Sequence, residues 1–213
     1  MKKLFLLTVF TLLISAVNAQ SVGFAVTPQI LTEGNYAKGR AFTVDGYYQL
    51  KLGKHFFLRS GIDYEMISEI YESTFGWQWD DISYPATTVV IRFAKIGIPV
   101  LLGVHLNDYK PIYPKFKYYM YGGYQASFGL TSHSFDFQDD VKTRFEKENE
   151  YDQILEDKLI NTFIFGLDFS FDIHENWNIY FAPQFRNTFI DPKYADNQSS
   201  FGLQLGARYQ INK

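Results

Sequence analysis

The sequence predicts an all-β chain, an eight-stranded antiparallel transmembrane β-barrel with up-and-down (meander) connectivity. Three observations carry this. Beyond the first 19 residues, apolar side chains recur at every second position in eight separate segments, the period of a strand with two unlike faces. Phe, Tyr and Trp make up 19% of the chain, with 21 Phe and 16 Tyr, yet no run of 18 apolar residues is present. Such a chain has no helical span, but it has the alternate lipid-facing positions and aromatic girdles of a membrane barrel. The links between segments also alternate between short and long, as tight periplasmic turns and larger external loops do.

The chain opens with an export signal. Lys2 and Lys3 form a positive n-region, and Leu4 to Ile14 is an apolar run of 11 residues. Val17-Asn18-Ala19 fits an A-x-A-like site, which places cleavage after Ala19. The run is too short for a helix that spans a bilayer, which needs about 20 residues. No Cys follows it, so no lipid anchor is implied. Residues 20–213 then form one barrel domain of 194 residues, with 18 Lys and Arg against 23 Asp and Glu, a formal charge of −5. That balance gives no reason to expect nucleic acid as a partner. With no cysteine in the chain, disulfides, thiolate catalysis and Cys-ligated metals are excluded.

The segments follow in order. In 22–30, Val22, Phe24, Val26 and Ile30 oppose Gly23, Ala25, Thr27 and Gln29. In 42–52, Phe42, Val44, Tyr48, Leu50 and Leu52 oppose Thr43, Asp45, Tyr47, Gln49 and Lys51. In 56–66, Phe56, Leu58, Ile62, Tyr64 and Met66 oppose Phe57, Arg59, Gly61, Asp63 and Glu65. In 95–106, Ile96, Ile98, Val100, Leu102 and Val104 oppose Lys95, Gly97, Leu101 and Gly103. Segment 116–130 sets Tyr118, Met120, Tyr124 and Phe128 against Lys117, Tyr119, Tyr121 and Gln125. Segment 161–173 sets Phe163, Phe165, Phe169 and Phe171 against Thr162, Gly166, Asp168 and Asp172. In 178–189, Ile179, Phe181, Phe185 and Phe189 oppose Tyr180, Gln184, Arg186 and Thr188. In 201–211, Phe201, Leu203, Leu205, Tyr209 and Ile211 oppose Gly202, Gln204, Gly206 and Arg208. Ile91 and Phe93 are out of phase with Ile96 and Ile98, so either a bulge lies near Ala94-Lys95 or the strand starts at Lys95.

Links 53–55, 107–115 and 174–177 are short; links 31–41, 67–94, 131–160 and 190–200 are longer. Both termini then lie on the periplasmic side. The face opposite the Phe and Leu residues carries Asp45, Asp63, Glu65, Asp168 and Asp172 with Lys51, Arg59, Lys95, Lys117, Arg186 and Arg208. Eight strands leave an interior just wide enough for side chains. Buried ions must pair there, because an unpaired one costs several kcal/mol. The expectation is a plugged polar core built on Asp45, Lys51, Arg59, Asp63, Glu65, Asp168, Arg186 and Arg208.

The segment Lys95-Ile-Gly-Ile-Pro-Val-Leu-Leu-Gly-Val-His105, a proline-rich turn and Tyr119-Met-Tyr-Gly-Gly-Tyr124 resemble the PorT-like outer-membrane β-barrel family. Phe165-Gly-Leu-Asp-Phe169 and Phe201-Gly-Leu-Gln-Leu-Gly-Ala-Arg-Tyr209 resemble its closing strands. The resemblance covers essentially the whole segment after the signal and implies an outer-membrane barrel. Gly97 stands where that family often carries an acidic residue. The chain ends Tyr209-Gln-Ile-Asn-Lys213, where barrels commonly finish on an aromatic.

Two loops are candidate sites. Loop 67–94 places Tyr71, Phe75, Trp77, Trp79 and Tyr84 among Glu69, Glu72, Asp80 and Asp81, which reads as a recognition surface for a protein or glycan, or as an aromatic girdle or small loop core. Loop 131–160 is dense in acids and has no D-x-[DN]-x-[DN]-G calcium loop; its Glu and Lys content suits a short helix over 143–158. Thr131-Ser132-His133-Ser134 with Asp136 has the residue types of a rim hydrolase, but triads are defined by geometry and not by adjacency. His55, His105 and His174 lack metal-ligand spacing. No cofactor or metal motif is present. The leading expectation is a non-enzymatic outer-membrane protein whose partners are outer-membrane lipid, the barrel assembly machinery and a ligand at the long loops. A lipid-modifying rim enzyme and a narrow channel are the alternatives.

Overall fold

The computed structural model describes residues 20–32, 37–72, 78–79, 82–83, 87–106, 116–138, 141–145, 159–189 and 198–211. Eight long strands form the wall: β1 (Ser21–Leu31), β2 (Ala37–Leu52), β3 (Phe56–Glu72), β4 (Thr87–His105), β5 (Phe116–Gln138), β6 (Leu159–Asp172), β7 (Trp177–Phe189) and β8 (Gln198–Gln210). Each pairs antiparallel with its neighbours in sequence, and β1 closes on β8. No sheet edge is left on the wall, as a structure in lipid requires.

The register fixes the shape. From Ser21 the ladder runs through Gln49, Arg59, Leu101, Gly123, Ile164, Arg186 and Ser200 and returns to Leu31, ten residues further along the same strand. Ten residues of stagger over eight strands correspond to a strand tilt of about 41° from standard rise and spacing, within the range of closed barrels.

The two faces sort as the period-2 pattern requires. Phe24, Ile62, Val100, Leu102, Phe163, Phe181, Phe201 and Leu205 are exposed, whereas Asp63, Lys95, Asp168, Gln125 and Arg208 are buried. An apolar outside around a charged inside is the arrangement for a barrel solvated by hydrocarbon, and the reverse of a soluble one. The chain is therefore a transmembrane β-barrel.

Inside, four aromatic rings each lie over a glycine that is their direct cross-strand partner. These pairs are Tyr47 on Gly23, Phe57 on Gly103, Tyr121 on Gly166 and Tyr180 on Gly206. A Cβ at any of these glycines would fall within 2.5 Å of the ring. Glycine there admits the aromatic and lets the sheet curl. Above this layer Ala41, Ile67 and Phe93 pack together with Leu31.

Several expectations about loops are corrected. β3 and β4 run on to Glu72 and back to Thr87, so the connection between them is 73–86 and not 67–94. It holds a small hairpin of Gln78–Trp79 and Ile82–Ser83. β5 continues to Gln138, and Val141–Phe145 folds back on it as a short strand where a helix over 143–158 was expected. Residues 146–158 lie outside the described residues. The irregularity at Ala94/Lys95 is a bulge beside one continuous β4. Ala94 pairs with Thr131 and Lys95 with Gly129, so Leu130 on β5 is the additional residue. β4 keeps its own phase through this point, and Phe93 is buried on the same side as Lys95. The short–long contrast is also softer than expected, since 106–115 is longer than 32–36.

Candidate functional site

The interior holds two clusters of charge, each tying strands together across the lumen. The first lies toward the loop end. The ladder sets Asp45 of β2 against Asp63 of β3, and Glu65 of β3 against Lys95 of β4. Arg186 reaches them from β7 on the far wall, at 3.1 Å from Glu65, 3.4 Å from Asp63 and 3.9 Å from Asp45. Lys95 Nζ stands 3.2 Å from Glu65. Amides complete the set. Gln125 donates to Asp63 at 2.9 Å, Gln204 donates to Asp45 at 3.0 Å, and Arg186 Nε donates to Gln184 at 2.9 Å. Three carboxylates face two cations, so the cluster is formally −1.

The second cluster lies toward the termini. Asp168 of β6 accepts from Arg59 of β3 at 2.8 Å and from Arg208 of β8, and Ser170 donates to its other oxygen at 2.6 Å. Two cations share one carboxylate, a formal +1. Aromatic faces take up the surplus. Arg59 Cζ lies 4.7 Å from the Tyr47 ring centroid and 4.9 Å from that of Tyr121; Arg208 Cζ lies 5.0 Å from Tyr180 and 5.3 Å from Tyr119. Arg59 Nε and Nη1 have no hydrogen-bond partner. The ring quadrupoles are what stabilise that side of the guanidinium.

Tyr121 joins the clusters. Its hydroxyl accepts from Gln184 at 3.0 Å and donates to Gln204 at 3.3 Å. Across the two clusters the four carboxylates and four cations sum to zero. Between them remains a cavity of about 20 Å³ beside Arg59, Arg186 and Gln204, room for one water. Toward the termini the interior opens into a vestibule of about 350 Å³ lined by Gln49, Lys51, His55, Lys117, Tyr119 and Arg208.

Of the eight charges expected inside, Asp45, Arg59, Asp63, Glu65, Asp168, Arg186 and Arg208 meet in these two clusters. Lys51 does not. It is exposed at the vestibule mouth, because β2 ends at Leu52 and a long side chain at a strand end reaches water more easily than a buried acid. Lys117 and Asp172 likewise pair at the rim, at 2.8 Å. Lys95, which the period-2 pattern also places on the inner face, belongs to the network. The tyrosines and glutamines are the functional partners that sequence reasoning passes over. Their inward phase is visible, but nothing in one sequence says that they solvate ions.

Gly97 has a local explanation. It is the cross-strand partner of Asp63, and a Cβ there would stand 2.4 Å from Asp63 Oδ1 and 2.3 Å from Gln125 Nε2. The acidic residue that the resemblance leads one to expect at 97 would have to displace the ends of Gln125, Asp63 and Ser127, and Asp63 supplies a carboxylate from the adjacent strand.

The other candidates separate. Tyr71 lies in β3 and Trp79 in the small hairpin; Phe75, Trp77 and Tyr84 lie outside the described residues. Thr131 to Ser134 and Asp136 belong to the extended β5, with His133 paired to Arg92, and not to a loop. Among the described residues no group of three or more His, Asp or Glu is placed to hold a metal ion.

No family model matches the chain, and no curated protein matches it. Among solved structures it is similar to Neisserial surface protein A, with a TM-score of 0.43, 13% identity, and 90% of this chain and 96% of that chain covered. It is similar to the attachment invasion locus protein Ail of Yersinia pestis, with a TM-score of 0.43, 12% identity, and 90% and 97% covered. A major outer membrane protein from Thermus thermophilus gives a TM-score of 0.41, 13% identity, and 89% and 99% covered. At such scores the similarity says nothing of what this chain binds.

Proposed function

We propose that this chain is an exported outer-membrane barrel with a structurally plugged lumen, which displays the connections opposite its termini for recognition at the cell surface. The observation that carries the reading is the interior itself, where two ion clusters of opposite formal charge cross the lumen and leave about 20 Å³ between them. An eight-stranded barrel so filled has no water path for conduction.

The division of charge between the two ends supports the recognition role. Connections 32–36, 73–86, 139–158 and 190–197 hold 13 acids and 5 cations, whereas 53–55, 106–115 and 173–176 hold 2 acids and 3 cations. The acidic end also carries Phe75, Trp77, Trp79 and Tyr84 in one connection, a composition suited to a cationic partner with exposed apolar groups. The segments around Ile98-Pro99 and Phe165 to Phe169 support kinship with PorT-like barrels. The outer-membrane setting brings the insertion machinery and membrane lipid as partners.

The test has two parts. In purified outer-membrane fractions, the unboiled protein should migrate differently from the boiled protein on a gel. Trypsin added to intact cells should cleave within 139–158, which contains Lys142, Arg144, Lys147 and Lys158, and should spare the connection 106–115. Recovery of the protein from the soluble periplasm, or cleavage at 106–115 alone, would overturn the reading.

A further inference from the structure

The outer wall is largely apolar among the described residues. Among the side chains described there, Arg40 on β2 and Arg92 on β4 are the charged ones on the lipid-facing side, and both are exposed. They are aligned. The ladder pairs Arg40 with Ser68 and Ser68 with Arg92, so two guanidinium positions flank one small hydroxyl residue on the strand between them, about 10 Å apart at standard strand spacing.

Their height is equally specific. Arg40 lies twelve residues along β2 from Leu52, an exposed apolar residue at the terminal end. At the tilt given by the register that separation is about 30 Å along the barrel axis, the thickness of a hydrocarbon core. The cations therefore stand at the boundary between acyl chains and headgroups on the loop side. Below them an open groove of about 500 Å³ runs along the wall past Phe42, Tyr64 and Met66.

We propose that this face holds a phosphorylated lipid of the loop-side leaflet, with its phosphate between Arg40 and Arg92 over Ser68 and an acyl chain in the groove along Phe42, Tyr64 and Met66. The occupant is a lipid because the face is turned to the membrane. It is a phosphorylated one because the planar forks of the two exposed arginines, aligned across one strand, match phosphate oxygens. A side chain as small as Ser68 leaves the notch open. The proposal rests on the membrane-barrel reading.

The test uses the full chain folded in detergent micelles, with folding confirmed by heat-modifiable gel mobility. Native mass spectrometry then counts retained lipid after addition of bis-phosphorylated lipid A, the same lipid stripped of phosphate, or dioleoylphosphatidylcholine. The wild type should retain one phosphorylated lipid per barrel in preference to the other two. The double variant R40Q/R92Q should weaken retention about tenfold or more through loss of two charge-assisted contacts, and Ser68→Phe, which fills the notch with both cations in place, should weaken it as well. A folded barrel that retains all three lipids equally, or a double variant that binds like wild type, would overturn this site and leave the barrel reading standing. Failure to show heat-modifiable mobility in any detergent would remove the barrel reading itself.

Discussion

The two charge clusters inside the barrel solve the same problem in different surroundings. Toward the loops, Arg186 and Lys95 stand among Asp45, Asp63 and Glu65, all buried, with amides as the neutral donors. Toward the termini, Arg59 and Arg208 share Asp168, and rings of Tyr47, Tyr119, Tyr121 and Tyr180 take the place of a second acid. The first cluster is closed off from solvent. The second borders the vestibule, which Arg208 helps to line. An ion left unpaired in the first has only the one-water cavity beside Arg186 to turn to, whereas one in the second can recruit water from the vestibule. The burial cost of a charge depends on what else can solvate it, and the two clusters should respond unequally to the same kind of damage.

The largest effect is expected for Arg186→Ala. It leaves three carboxylates with Lys95 alone, and loss of one partner from a buried ion network costs about 3–5 kcal/mol. Urea unfolding of the micelle-folded protein, followed by gel mobility, should show a large drop in midpoint. Asp168→Ala should cost less, about 2–3 kcal/mol, because aromatic faces and vestibule water stabilise the two arginines it strands. Equal losses in the two variants would remove the contrast between the clusters.

Gly97→Ala tests the acidic cluster by crowding. Its Cβ would push against Asp63 and Gln125, and overpacking of this kind costs about 1–3 kcal/mol. Tyr121→Phe deletes the hydroxyl between Gln184 and Gln204, a loss of about 1 kcal/mol. The smallest change is expected for Asp63→Asn. It cancels the formal −1 of the cluster and retains a carbonyl oxygen for Gln125, so the unfolding midpoint should shift by less than about 1 kcal/mol in either direction. A loss as large as that of Arg186→Ala would mean that Asp63, and not Glu65, is the main partner of Arg186.

Much of this architecture is legible in the sequence, and the reasons are physical. Period 2 is forced wherever one strand face meets lipid and the other meets polar side chains, so Phe163 to Asp172 or Phe201 to Arg208 reveal their faces without any partner being known. What stays hidden is what depends on register between strands. Nothing local says that Asp63 faces Gly97, that Tyr180 covers Gly206, or that Arg186 reaches across to Glu65. The bulge near Ala94-Lys95 is one of two readings the sequence allows, but that its additional residue is Leu130, on the neighbouring strand, depends on register. Lys51 misleads because parity places a residue on a face and gives no information about its height. The long loops shorten because polar strand ends above the membrane carry little lipid-facing signal; β3 continues there as paired backbone with no apolar alternation to announce it.

A lumen plugged by paired ions should not conduct. Planar-bilayer recording reads this out on protein whose folded state has been verified by heat-modifiable mobility. The wild type should leave the membrane silent. Reproducible unitary conductance steps from the wild type would contradict a plugged lumen, since they require an aqueous path through Arg186, Tyr121 and Arg59.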